Sequence, residues 1–476
     1  MKTTGRGLVW IGMFVLVWLF AAWSPALAGK LEDLLLENKQ ITIDQWVQLK
    51  AEEEKREAKV MQESRGVGDV PVRERWYEKI SVRGYTQFRY NFTPNNDFLT
   101  SPGDRSIVKN NEFFMRRARL IVSGQPHDRV FVYLQGEFAG FVNNNNNNNQ
   151  EGTAVLRDAY ADIFLTENKE WRIRPGQSKI PFGFDTVQSS QNRLAFDRTD
   201  ATFSGVPNER SLGVFLYYAP TVVRERFRRL VESGLKGSGD YGMLGIGVYN
   251  GQGIDQQDAN KNKHVIFHSA YPYEFSNGQI VQVGMDAYTG QIVVSTSPVV
   301  QTNSATGAPI SPQVTNGGNY LDERVAWHLV VFPQPFGFQA EYNIGRGPQL
   351  NTDRTAVELG SLHGGYVQLF YNYKCDTYCQ SIFPYVRMQE YFGGQKLQSN
   401  SPRASVRETE LGLEYQFNRA LELTVAYSWT QRTSGESATL PLNSFCGSST
   451  SQVTCTQTPY QLQTGNLLRF QLQWSF

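Results

Sequence analysis

Arginine recurs at short, even spacings early in this 476-residue chain: Arg83 and Arg89 in VRGYTQFRY, Arg117 and Arg119 in MRRARL. A guanidinium stays charged at any physiological pH and only donates hydrogen bonds, so it binds and orients anions rather than moving protons. Residues an even number apart share one face of an extended strand, which aligns Arg83 with Arg89 and Arg117 with Arg119. Further along, Lys179, Arg193, Arg198 and Arg210 are interleaved with Asp185, Asp197, Asp200 and Glu209. This chemistry is electrostatic selection of a small charged solute. Two outcomes stay open: a net basic constriction, or arginines neutralised by neighbouring acids such as Glu137, Asp158 and Asp162. Glu341, Glu410, Glu414 and Glu422 suggest an acidic opposite wall, hence a transverse field. Arg116 breaks the alternation and is expected at an interface or at a bulge that turns it inward.

Bond-making chemistry finds little support. Five histidines are present, and none forms a nucleophile motif with Ser or Cys. His264 and His268 share a strand face, but four residues along a strand separate them by about 13 Å, too far for one metal ion. No catalytic residue, metal or cofactor is expected. Four cysteines form two close pairs, Cys375/Cys379 and Cys446/Cys455; three connectivities are possible, and two local loop disulfides are the expected one in an oxidising compartment.

The elements that must position these side chains are strands. Leu421, Leu423, Val425, Tyr427 and Trp429 alternate with Glu422, Thr424, Ala426, Ser428 and Thr430, and the terminal LLRFQLQWSF does the same. The pattern recurs in about sixteen candidate strands, starting near residues 79, 112, 128, 154, 170, 210, 241, 263, 278, 323, 336, 363, 381, 406, 420 and 466. At roughly nine to thirteen residues each, they have the length of tilted membrane-spanning strands. Long and short connections largely alternate, as expected when one set faces outward and the other the periplasm. The long connection from Lys179 to Arg210 is the candidate for a loop folded into the lumen. The exception to the alternation is Thr221 to Asp240, long where a short turn belongs. Its Arg224, Arg226, Arg228 and Arg229 read as a solvated turn in preference to a basic vestibule. Asn143 to Asn149 falls in a predicted outer loop and reads as flexible filler.

Mean hydropathy is −0.42, which would ordinarily indicate a soluble protein. A transmembrane β-barrel shows lipid only every second residue, so its average is polar as well. Phe476 would end the strand that closes the barrel against the one near Lys79, leaving no open edge. The formal charge of +1 excludes nucleic-acid binding by bulk electrostatics.

Residues 1–28 read as a secretory signal peptide, with Lys2 and Arg6 before an apolar run and Ala26-Leu27-Ala28 at its end. Residues 29–63 read as a helical, coiled-coil-like extension in the periplasm, opened by the capping pattern Thr42-Ile43-Asp44-Gln45. Residues 64–78 form a linker, and residues 79–476 the barrel.

KISVRGYTQFRYN, FFMRRARLIVSG, RDAYADIF leading into RIRPGQSKIPFGFD, and the terminal Phe resemble the phosphate-selective porins O and P of Gram-negative outer membranes. The resemblance spans Lys79 to Phe476, and ITIDQW is similar to that family's N-terminal extension. It implies a sixteen-stranded barrel embedded in outer-membrane lipid, usually a homotrimer, that passes small hydrophilic solutes passively. The founding members' basic constriction implies small anionic, phosphate-like solutes. The alternative is a structural or surface-attachment barrel with little conductance.

Overall fold

The computed structural model describes residues 79–94, 111–141, 154–254, 257–297, 301–302, 309–310, 314–352, 355–375, 377–434 and 461–476. Sixteen strands form its frame: β1 (Ile80–Phe92), β2 (Glu112–His127), β3 (Val130–Glu137), β4 (Val155–Phe164), β5 (Trp171–Lys179), β6 (Arg210–Tyr218), β7 (Leu244–Tyr249) and β8 (His264–Glu274), then β9 (Ile280–Val294), β10 (Gly318–Val331), β11 (Phe336–Leu350), β12 (Val357–Tyr371), β13 (Ser381–Gly394), β14 (Arg403–Asn418), β15 (Leu421–Ser434) and β16 (Gln461–Ser475). Each pairs antiparallel with the next, and β16 returns to β1 through Tyr85↔Ser475 to Phe92↔Leu468. The sheet is a closed antiparallel barrel.

Closure continues to the last residue. The Gly84 and Phe476 backbones exchange hydrogen bonds of 2.8 and 3.0 Å. A Cβ on Gly84 would lie 2.5 Å from the Phe476 ring, so this position must be glycine for the terminal ring to lie across it.

The alternation sorts side chains as expected, with the polarity of a soluble protein inverted. Val82, Phe113, Ile246 and Leu411 face outward and are more than half exposed, whereas Arg89, Asp286, Asn343 and Glu414 face inward and are 0% exposed. Such a surface is stable only against an apolar medium. Among the described residues no helix is long and apolar enough to cross a membrane; the strands do so.

Strand starts differ most from the sequence expectation at β10, β12 and β16, each five or six residues earlier. The first residues of β10, Gly318-Asn319-Tyr320, lack the apolar–polar alternation that marks the spanning portion, and in β12 the alternation of Val357 and Leu359 is broken at Ser361-Leu362.

The bulge expected for Arg116 is present. The β1–β2 register shifts between Gln87 and Phe88, leaving Arg116 as the extra residue. Its guanidinium turns inward to within 3.7 Å of Asp197.

Thr221 to Asp240 is not a simple turn. Thr221–Glu232 is a helix, α3, whose Val223, Phe227 and Leu230 are buried on one face. Its arginines are paired: Arg224 with Asp240, Arg226 and Arg229 with Glu274, and Arg228 with Glu225 and Glu232. The apolar residues at helical spacing were the available signal.

Cys375 and Cys379 are disulfide-bonded in the turn between β12 and β13, with Cα atoms 5.3 Å apart. Cys446 and Cys455, the segments expected as leader (1–28), helical extension (29–63) and linker (64–78), and the Asn143–Asn149 run lie outside the described residues.

Candidate permeation site in the barrel lumen

After β5 the chain leaves the wall and crosses the lumen as residues 180–209, carrying two short helices, α1 (Phe184–Val187) and α2 (Asp200–Gly205). The departure depends on Gly183. Its φ is 77°, its N–H donates to Asp286 Oδ2 at 2.7 Å, and a Cβ there would lie 2.1 Å from Glu341 Oε1. Only glycine fits that left-handed corner against two carboxylates.

The loop is fastened to opposite sides of the barrel. On one side Gln87 Nε2 donates to Ser190 O (2.9 Å) and Arg119 Nη1 to Ser190 Oγ (3.0 Å). On the other, Asp185 N and Thr202 Oγ1 donate to Glu341 at 3.0 and 2.9 Å, Asp200 N donates to Gln389 Oε1, and Arg324 Nη1 donates to Ser204 Oγ at 2.7 Å. Buried polar groups cost free energy unless bonded, so this set of partners specifies one position for the loop.

The eight cations singled out by sequence fall into separate groups. Arg83 lies toward the short-turn end of β1 and is exposed. Arg117 donates to Gln87 Oε1 at 2.8 Å, and Arg119 pairs with Glu137 at 2.7 Å. Lys179 Nζ donates to the carbonyls of Thr186, Val187 and Gln188 at 2.8–3.1 Å, tying the end of α1. Arg198 and Arg210 share Glu209, and Arg210 also pairs with Asp158 at 2.9 Å. Arg193 donates to the carbonyls of Ala195 and Phe196. Arg89 donates to Phe196 O at 3.1 Å and Gln471 Oε1 at 2.8 Å, and pairs with Asp197 at 3.3 Å. Pairing with inward acids thus occurs at Glu137, Asp158 and, through Arg174 at 2.6 Å, Asp162.

Asp197, on the inserted loop, gathers cations from both sides of the closing seam. Arg89 and Arg116 reach it from β1 and β2, and Arg469 from β16, which also pairs with Glu410. Arg387 on β13 donates to Asp197 O and to Asp185 Oδ2, each at 3.1 Å. Asp197, Ala195, Arg387, Gln389, Glu408, Glu410 and Arg469 line a small cavity.

Arg387, Arg432 and Arg469 were not among the sequence-derived candidates. Their signal was the same parity: Arg387 alternates with Val386 and Met388, and Arg469 with Leu468 and Phe470. They also correct the expected transverse field, because the wall bearing Glu408, Glu410 and Glu414 carries cations too.

His268 Nδ1 lies 2.6 Å from Asp286 Oδ1, and His264 Nε2 lies 3.3 Å from Asp322 Oδ2, each histidine at its own carboxylate. No group of three or more metal-ligating side chains occurs among the described residues.

The sequence profile of a family described as phosphate-selective porin O and P matches residues 88–461. A comparison with curated proteins found no match. Similar solved structures include Salmonella typhi OmpF in complex with daunomycin (14% identity, 83% of this chain and 97% of that chain covered, TM-score 0.47). The outer-membrane channel DcaP of Acinetobacter baumannii shows 12% identity over 83% and 97% of the two chains, with a TM-score of 0.46. An anion-selective porin from Comamonas acidovorans shows 9% identity over 83% and 99%, with a TM-score of 0.42.

Proposed function

The chain belongs to the phosphate-selective porin O and P family, and from that premise we propose that it is an outer-membrane porin whose lumen arginines favour small anionic, phosphate-like solutes. One observation carries the preference. Among the described residues sixteen Lys and Arg side chains are buried, against twelve Asp and Glu, although the whole chain is formally only +1. A permeating ion responds to charge within about a Debye length, roughly 8 Å at physiological salt, so the lumen outweighs the average over the protein.

Arg89, Arg117, Arg119, Arg387 and Arg469 are the residues assigned to this field, with Asp197 holding the seam cluster in place. Lys179, Arg198 and Arg210 serve chiefly to fasten the inserted loop. Passive diffusion needs no catalytic group or cofactor. The short-turn end then faces the periplasm, with residues 1–28 as the export signal and 29–63 as a periplasmic extension. A homotrimer is the assembly proposed from family membership.

The test is the reversal potential of the purified protein in a KCl gradient. The wild type should be anion-selective, more so at low ionic strength, and Arg117→Ala/Arg119→Ala should move it toward cations. A cation-selective wild type overturns the phosphate-like preference. A wild type without conductance, even with the lumen segments removed, returns the structural-barrel alternative.

A further inference from the structure

The connection between β6 and β7 is built unlike the other turns at its end of the barrel. Other connections there are as short as Asp128–Arg129 and Arg419–Ala420, whereas this one holds α3 and a return segment. The apolar face of α3 does not merely cover the rim. Leu230 and Leu235 are buried with Phe184 of the inserted loop and with Ile280, Val330 and Phe332 of the wall.

The return segment goes further in. Lys236 Nζ lies 2.5 Å from Glu414 Oε1, with the two side chains 3% and 0% exposed. Glu414 is on β14, half the circumference away from β6 and β7 in the closed strand order, so the contact crosses the lumen. Lys236 Nζ also lies 4.8 Å from the Phe383 ring centre, on β13. Its carbonyl accepts a 2.7 Å hydrogen bond from Gln188 Nε2, joining this segment to the loop that enters from the other end.

The backbone is shaped for this reach. Lys236 holds a φ of 65°, in the left-handed region that a lysine rarely occupies. A Cβ on the next residue, Gly237, would lie 2.7 Å from Leu230 Cβ. Such outliers persist where surrounding contacts over-determine them.

We propose that the β6–β7 connection is a second constriction, in series with the inserted loop, and that the Lys236–Glu414 pair latches it and sets which small ions cross. The inference rests on the porin reading. While paired, the two charges offset each other and hold the segment across the lumen. Removing either charge frees the segment and leaves the partner's charge facing the pathway.

Single-channel recordings of the full chain carrying Lys236→Glu, Glu414→Lys, or both would test this, with heat-modifiable gel migration as the fold check. Either single reversal should raise conductance severalfold. Lys236→Glu should shift the reversal potential toward cations and Glu414→Lys toward anions. The double reversal should restore the wild-type values, because the pair is re-formed with opposite sense. Should a reversal fail to fold, Lys236→Gln and Glu414→Gln take its place and should raise conductance likewise. A conducting wild type whose single variants behave identically to it, or a double reversal no closer to wild type than the singles, overturns the latch and leaves the porin reading standing. No conductance from either the wild type or a chain with residues 221–240 replaced by a Gly-Ser turn overturns both. Conductance from that replacement alone supports the latch.

Discussion

Gly183 shows how one residue commits a whole segment. Its positive φ and the adjacent Glu341 carboxylate leave no room for a side chain, so only glycine lets the chain turn off the wall here. Gly183→Ala should destabilise the fold by about 1–3 kcal/mol, the range for strain at special backbone positions. Denaturant unfolding of the detergent-solubilised protein would measure it. A free energy within error of wild type would show that the corner relaxes easily. The inward orientation of Arg89, Arg117 and Arg119 was legible, because parity alone decides it. The pairing of Arg119 with Glu137 was among those expected; the partner of Arg89 was not. Asp197 lies more than a hundred residues from Arg89 and reaches it only because the inserted loop crosses the lumen.

Among the elements, α3 is held by charges outside its own apolar face. Glu170 Oε1, on the β4–β5 turn, accepts from Thr221 N and Oγ1 at 2.9 and 3.0 Å and so caps the helix start. Asp240, beyond its end, pairs with Arg172 at 2.8 Å and Arg224 at 3.2 Å. Burial pushes the Asp240 carboxyl up, but the two guanidiniums outweigh it and hold the group well below the usual carboxylate range. A depressed folded pKa contributes stability above the unfolded value, about 3.9, and loses it as pH falls below that. Hydrogen exchange in α3 should therefore be steady from neutral pH to about pH 5 and accelerate below about pH 4, once corrected for intrinsic rates. Asp240→Asn should raise exchange at neutral pH and remove this acid step; an unchanged profile would place the acid response elsewhere. The Cys375–Cys379 bridge closes so short a loop that its chain-entropy contribution is about 2 kcal/mol. Cys375→Ser/Cys379→Ser should lower unfolding stability by no more than about that amount while leaving conductance unchanged. A large conductance change would show that the turn bears on the lumen.

For the whole molecule, stability depends on closure, because an open sheet edge in lipid leaves backbone groups unsatisfied. β16 meets β1 through a ladder that ends at Phe476 on Gly84. Unboiled protein in SDS should therefore migrate differently from boiled protein, and deleting Phe476 should lower the temperature at which the two forms merge. The described barrel begins at Ile80 and closes on itself. A chain lacking residues 29–78 but keeping residues 1–28 should still give a heat-modifiable barrel. Failure to do so would assign the extension a role in folding rather than only in assembly or spacing.

The barrel, its sixteen strands and the inward or outward direction of nearly every strand residue were determined by the sequence alone, because a two-residue period against lipid and lumen is a local property. The inserted loop was legible from its length and from GQSKIPFG. Strand ends were less so, since β10 and β16 start on a glycine and a glutamine and the period of β12 is broken at Ser361-Leu362. Only the tertiary structure decided that Arg387 and Arg469 join Arg89 and Arg116 about Asp197, and that Lys236 crosses to Glu414. Those pairings depend on which strands lie next to or opposite one another in a closed ring. Charges in a low-dielectric interior interact according to that spatial order, which distance along the chain does not encode.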